Sequence, residues 1–171
     1  MNPEQARFLA EYFAKLMEGE FPATCSVIEA VPDAQREYKP DEKSRSAWDL
    51  ATHLAMGDIW FLDSIMAGAF AFDPAVEAAQ RAKFATVADV VAHYQREFPA
   101  RIQRLRDLAD DALTRDVDFF GMFQRPAASL LGFANNHSTH HRGQLAAYLR
   151  AMGSKVPAIY GASADQPRAS A

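Results

Sequence analysis

The chain has 171 residues, 49% of them hydrophobic, and a net charge of -4. That length suits one domain with a sizeable core, and the composition is too apolar for a disordered chain. No basic run marks a nucleic-acid partner, no apolar stretch approaches the roughly 18 residues of a membrane span, and a single cysteine, Cys25, excludes an internal disulfide.

The N-terminus lacks the basic-then-apolar layout of a signal peptide, so a cytoplasmic setting is expected. Residues 3–31 read as the first helix, with Pro3 suited to its first turn. Phe8, Leu9, Tyr12, Phe13, Leu16 and Met17 recur at three and four and predict the buried stripe. Pro22 removes a backbone donor and predicts a kink or a restart. Cys25 has no neighbour that would lower its pKa, so an inert thiol is expected. A polar connector over 32–44 follows, with Tyr38 before Lys39-Pro40 docking its ring on the core.

Residues 46–68 form the second helix, capped by Ser44 or Ser46. Counting about 100° per residue, His53 shares a sector with Leu50, Gly57, Trp60 and Phe61, while Asp58 and Leu62 fall on the far side. Gly57 costs about 1 kcal/mol in a helix and leaves room beside the ring, either for close helix packing or for a ligand. Asp49, one turn before His53, is a candidate acceptor for its imidazole N–H, or a solvated first-turn acid.

Residues 67–85 read as a long crossover without clear period, in which Phe70 and Phe72 cover the core or a pocket mouth. Thr86 with Asp89 caps a third helix over 87–109, interrupted at Pro99, with His93 on its surface. A connector over 110–126 holds a short extended piece around Val117, Phe119 and Phe120 and a turn at Gly121.

The fourth helix, 127–152, closed by Gly153, contains His137, His140 and His141, three of the five histidines. His137 and His141 are four apart and share a face, the spacing at which two imidazoles can hold one metal ion. His140 is three from His137, so spacing alone does not choose the pair. The apolar sector chooses it: Leu130, Ala134, Leu145, Tyr148 and Met152 surround His137 and His141, with His140 at the edge and Arg142, Ala146 and Arg150 facing away. Gln144 sits where it can orient a ligand. Two inward imidazoles either bind metal or are core histidines paired with backbone, because burying them unpaired costs a few kcal/mol. Beyond the helix, Val156, Ile159 and Tyr160 should pack on the bundle, giving one domain over 1–165 and a loose tail over 166–171.

Four long amphipathic segments with two crossovers predict an all-α four-helix bundle, which builds metal sites from facing helices. His53 would then join the pair on the fourth helix in a three-histidine site with a position left for water or substrate.

Tyr38-Lys39-Pro40, the run Ser44-Arg45-Ser46-Ala47-Trp48-Asp49-Leu50-Ala51-Thr52-His53, the run from His137 through His141-Arg142-Gly143-Gln144 to Arg150, and Lys155-Val156-Pro157-Ala158-Ile159-Tyr160-Gly161 together resemble the DinB family of helical-bundle, metal-dependent hydrolases. The resemblance implies an up–up–down–down bundle, a nickel or zinc ion on His53, His137 and His141, and a homodimer. Its relatives include transferases and isomerases that use low-molecular-weight thiols.

Two functions are therefore carried forward. One is a metal-dependent enzyme that activates water or a low-molecular-weight thiol against a small electrophile, as a hydrolase or thiol S-transferase, with Trp60, Tyr148, Phe70 and Phe72 lining its pocket and His140 and Gln144 as candidates for proton handling or ligand orientation. The alternative is a non-catalytic, stress-linked dimeric binding module with a structural metal. Imidazole suits zinc, nickel, copper and iron alike, so the residues themselves do not select the metal.

Overall fold

The computed structural model describes residues 1–167; the last four residues of the expected loose tail lie outside it. The long helices are α1 (Pro3–Glu29), α2 (Ala47–Ala67), α4 (Val87–Arg106) and α6 (Ala127–Leu149), with two short ones, α3 (Pro74–Arg81) and α5 (Asp110–Thr114). The expected bundle is present. The expected extended piece and turn of the second connector are also present, as β1 (Asp116–Phe119) and the turn at Gly121. Three details were not expected: α3 inside the crossover, α5 at the start of the second connector, and β2 (Phe123–Pro126), which pairs with β1 in a hairpin. Its turn uses positive φ at Phe120 and at Gly121, where glycine pays no Cβ penalty.

Local chemistry sets the ends of the long helices. Asn2 with Gln5, Ser46 with Asp49, and Thr86 with Asp89 each form a capping box, satisfying first-turn N–H groups. Pro22 and Pro99 both sit inside continuous helices rather than at breaks. The buried face of α1 also differs from the predicted aromatic stripe. Ala6, Ala10 and Ala14 are fully buried with Met17, whereas Phe8 and Tyr12 are 68% and 53% exposed. Small residues at four-residue spacing let neighbouring helices approach closely; of the predicted stripe Met17 is buried, Leu9 and Phe13 pack on the core, and Phe8 and Tyr12 are displaced outward.

In cross-section α1 packs on α4 and α6, and α2 packs on the same two from the opposite corner. Side-chain pairings fix the directions. Arg7 of α1 reaches Asp110 beyond the end of α4, while Phe21 stacks on Phe98, so α1 and α4 are antiparallel. Asp58 meets Tyr94 and Asp63 meets Arg101, so α2 and α4 are parallel. His53 meets His141 and Phe61 meets Phe133, so α2 and α6 are antiparallel. The order is up–down–down–up, which corrects the up–up–down–down order implied by the resemblance. A parallel α2–α4 pair needs a connection along the full bundle length, and residues 68–86 supply it.

The core is continuous from end to end, including Leu50, Leu54, Ile65, Ile102, Leu105, Leu130 and Leu131. Tyr38 docks edge-on against Tyr148, as expected, and Val156 and Ile159 pack on the core. Cys25 is buried, and burial pushes its thiol up to about 11, which fits an inert side chain.

Candidate metal centre

Burying Leu50, Leu54 and Phe61 against α6 turns the adjacent arc of α2, with His53, toward the same helix. On α6, Leu130, Ala134, Leu145 and Tyr148 do the same for His137 and His141. The three imidazoles converge: their ring centroids lie 4.5–4.8 Å apart, and one nitrogen from each falls within 4.8 Å of the others. The Nε2 atoms of His53 and His137 are 3.0 Å apart.

Whether these residues fit a cation can be tested on their own bonding. Bonds of about 2.0–2.1 Å to one ion place neighbouring imidazole nitrogens roughly 3 Å apart, the separation of the His53 and His137 pair, with a nitrogen of His141 within 4.8 Å of both. His141 Nδ1 lies 3.1 Å from Gln144 Oε1. Donating there fixes the tautomer that leaves the Nε2 lone pair free. His137 Nδ1 is buried with no hydrogen-bond partner, the one such side-chain nitrogen or oxygen among the described residues. Core histidines satisfied by backbone would not leave that atom orphaned. The donor set fits a divalent cation.

Electrostatics keep the donors unprotonated. Burial holds His53 down to about 3, helped by Arg45 and the neighbouring imidazoles. Burial, then the charges of His141, His140 and Arg45, holds His137 down to about 4. His141 is lowered by burial against the raising effect of Gln144. All three are neutral at pH 7, the form that coordinates metal.

The nearby side chains divide clearly. His140 is exposed, its ring 4.8 Å from that of His141, outside the converging group. Gln144 holds His141 rather than His140. Asp49 is not a partner of His53: its carboxylate caps α2 and pairs with Arg81. Gly57 does make room, since a Cβ there would sit 3.3 Å from His137 Cε1. His53, Gly57 and His137 open onto a cleft of about 1180 Å³ between α2, the crossover and α4. Trp60 and Phe72 line it, as expected, whereas Phe70 packs against Trp60 and the core and Tyr148 is buried against Tyr38. His93, read as surface, is half-buried against Phe84 at the far side of this cleft.

Helical counting missed two buried polar clusters. Asp58, placed on the far side of α2, accepts from Tyr94 Oη at 2.7 Å and from Ser138 Oγ at 2.9 Å. Burial pushes its carboxyl up to about 6. Arg142, placed facing away, is 1% exposed and pairs with Glu20, Thr24 and the Tyr160 hydroxyl. Both lie on arcs opposite the histidines, yet α2 and α6 each have two neighbours, so their buried arcs are wide. A serine and an arginine directly after metal-ligand candidates were the available signal.

The family model described as DinB family matches residues 8–169. The chain belongs to the DinB family. Among curated proteins it is 30% identical over 159 residues to the uncharacterized protein YrdA of Bacillus subtilis (strain 168), covering 91% of this chain and 90% of YrdA. It is 31% identical over 133 residues to YjoA of the same organism, covering 76% of this chain and 82% of YjoA. Among solved structures it superposes on the DinB-like YjoA with a TM-score of 0.68 at 24% identity, over 92% of this chain and 99% of that one. A DinB-like protein from Bacillus cereus gives 0.71 at 22% identity, over 88% and 97%. These two likenesses establish the fold. No helix among the described residues is long and apolar enough to cross a membrane.

Proposed function

We propose that this DinB-family chain is a metal-dependent enzyme whose cation, nickel or zinc, is held by His53, His137 and His141. The observation that carries the reading is the convergence of three neutral imidazoles from two helices at the end of an open cleft. His53, His137 and His141 would hold the cation, which would supply activation of water or of a low-molecular-weight thiol as the nucleophile for a small electrophile. The reaction class is hydrolysis or thiol S-transfer.

The chain's own residues do the rest. His53 and His137 offer lone pairs without first losing a proton, because burial keeps them neutral. Gln144 accepts from His141 and fixes its orientation. Gly57 keeps the space beside His137 clear. His140, exposed beside His141, is the candidate for proton handling. No fourth histidine, cysteine or carboxylate joins the group among the described residues, which supports an open position over a closed structural site. We place the enzyme in the cytoplasm, as a homodimer.

The test loads tag-free protein with nickel or zinc and screens low-molecular-weight thiols and electrophiles for turnover. Turnover that requires metal and is lost in His53→Ala supports the reading. Turnover unaltered by both chelation and His53→Ala refutes it.

A further inference from the structure

The cleft carries more chemistry than its metal end. Trp60, two turns from His53 on α2, forms the middle of one wall. Its only donor is already used: Nε1–H donates to Ala71 O at 2.9 Å. Its ring is stacked on Phe120 and packed edge-on by Phe61, Phe70 and Phe72. The indole is therefore held still and presents apolar surface, not a hydrogen bond, to whatever enters. Phe61 continues this surface to the metal end, where its ring centroid is 4.8 Å from that of His137. Phe72 and Val76, both lining the cleft, are 54% and 66% exposed. Apolar groups gathered in a concave site beside reactive side chains are the usual mark of a small-molecule pocket.

The charged residues of the lining narrow the ligand class. Its cations are Lys83, Arg96 and Arg101, and each is engaged. Arg101 pairs with Asp63 and Glu97, Arg96 with Glu97, and Lys83 donates to Gln80. Carboxylates outnumber them, since Asp73, Glu77 and Asp89 also line the cleft. An anionic ligand would meet net negative charge along the lining, where Lys83, bonded to the neutral Gln80, is the one of the three cations without a carboxylate partner.

We infer that this cleft takes an uncharged aromatic small molecule, seated against Trp60 and Phe72 with its reacting atom toward His53 and His137. The position of the reacting atom rests on the metal reading above; the binding of the apolar body does not. In reaction terms, the electrophile is neutral and its bulk lies on the aromatic wall while the activated nucleophile approaches from the imidazole end.

The experiment uses chelator-dialysed full-length protein labelled with 15N. The chain has two tryptophans, so its spectrum carries two indole N–H signals, and Trp60→Phe assigns them. The probe is 1-naphthylmethanol, compared with 1-naphthoate. The Trp60 signal shifts saturably with the alcohol and the Trp48 signal does not. Phe72→Ser, a change at an exposed side chain that leaves the fold intact, weakens binding by roughly tenfold, as does replacing the alcohol by the carboxylate. Saturable binding without any metal affinity at the histidines would uphold this inference and sink the metal reading. Metal binding without a saturable Trp60 response would sink this inference alone, as would naphthoate binding as tightly as the alcohol. A dimer that Phe72→Ser dissociates, with no probe binding, would assign the cleft to a second copy of the chain and overturn it.

Discussion

Replacing His53 with alanine separates a true three-ligand centre from a pair of histidines on one helix. Residues 53 and 137 are 84 apart in sequence, so an unfolded chain cannot gather all three rings around one ion. Binding by the group is therefore coupled to folding. At a free zinc concentration about a thousandfold above Kd the folded state gains about 4 kcal/mol. For a chain of this length that raises Tm by roughly 8–16 °C. His53→Ala leaves His137 and His141, one turn apart on α6, which bind an ion without tying α6 to α2. The expected residual gain is below about 1 kcal/mol, or roughly 2–4 °C. His140→Ala, at an exposed ring outside the group, keeps the full gain. Calorimetry of tag-free, chelator-dialysed protein with zinc added back measures all three. A full shift in His53→Ala, or none in the parent chain, refutes the geometry argued here.

Gly57→Ala should raise metal-free stability by up to about 1 kcal/mol through helix propensity. Its new Cβ presses on His137 Cε1 from 3.3 Å, so zinc affinity should fall by roughly tenfold in competition with a chromophoric chelator; unchanged affinity would count against that contact. Arg142→Met strands the Glu20 carboxylate and should cost about 2–4 kcal/mol in urea unfolding, less than a fully buried pair because Glu20 is partly exposed. Arg142→Lys should recover less than half, lacking the planar fork, and full recovery would show that charge alone matters. Metal-free protein should lose stability as pH falls from about 6.5 toward 4. Over that window the unfolded chain protonates histidines that the fold holds neutral, His53 to about 3 and His137 to about 4. The slope is at most about 1.4 kcal/mol per pH unit for each ring, reduced by partial exposure. Asp58 works in the opposite direction. Its carboxyl is raised to about 6, so its contribution is present at low pH and lost between about 4 and 6. Asp58→Asn should therefore steepen the acid-side loss seen in circular dichroism melts, and a shallower loss would contradict the sign.

The four long helices and the convergence of His53 with His137 and His141 were legible because they follow from period and face. A 3.6-residue stripe names the side of a helix that meets its neighbour, and both histidine helices put imidazoles on that side. The errors also share a cause. Counting apolar residues picked Phe8 and Tyr12 for the buried face of α1, whereas Ala6, Ala10 and Ala14 occupy it. Alanine gives a weak hydrophobic signal, yet only small side chains permit that closeness. Asp58 and Arg142 were placed away from the apolar sector, yet both are buried, because a one-stripe reading allows each helix a single buried side. Pro22 was read as a kink or a restart; it is exposed, and α1 runs through it without restarting. The α3 helix escaped notice because eight residues are too few to repeat a stripe convincingly, and none of them is buried in the core.

His141 and Arg142 are consecutive, yet one joins the three-histidine group and the other is anchored on α1. Helix α6 is thus gripped from behind at the point where it presents its ligands in front. Turning the imidazoles by even a small fraction of a turn would drag a guanidinium out of its acidic socket. Grafting only the three ligands into another bundle would transplant the donors and leave behind the clamp that aims them.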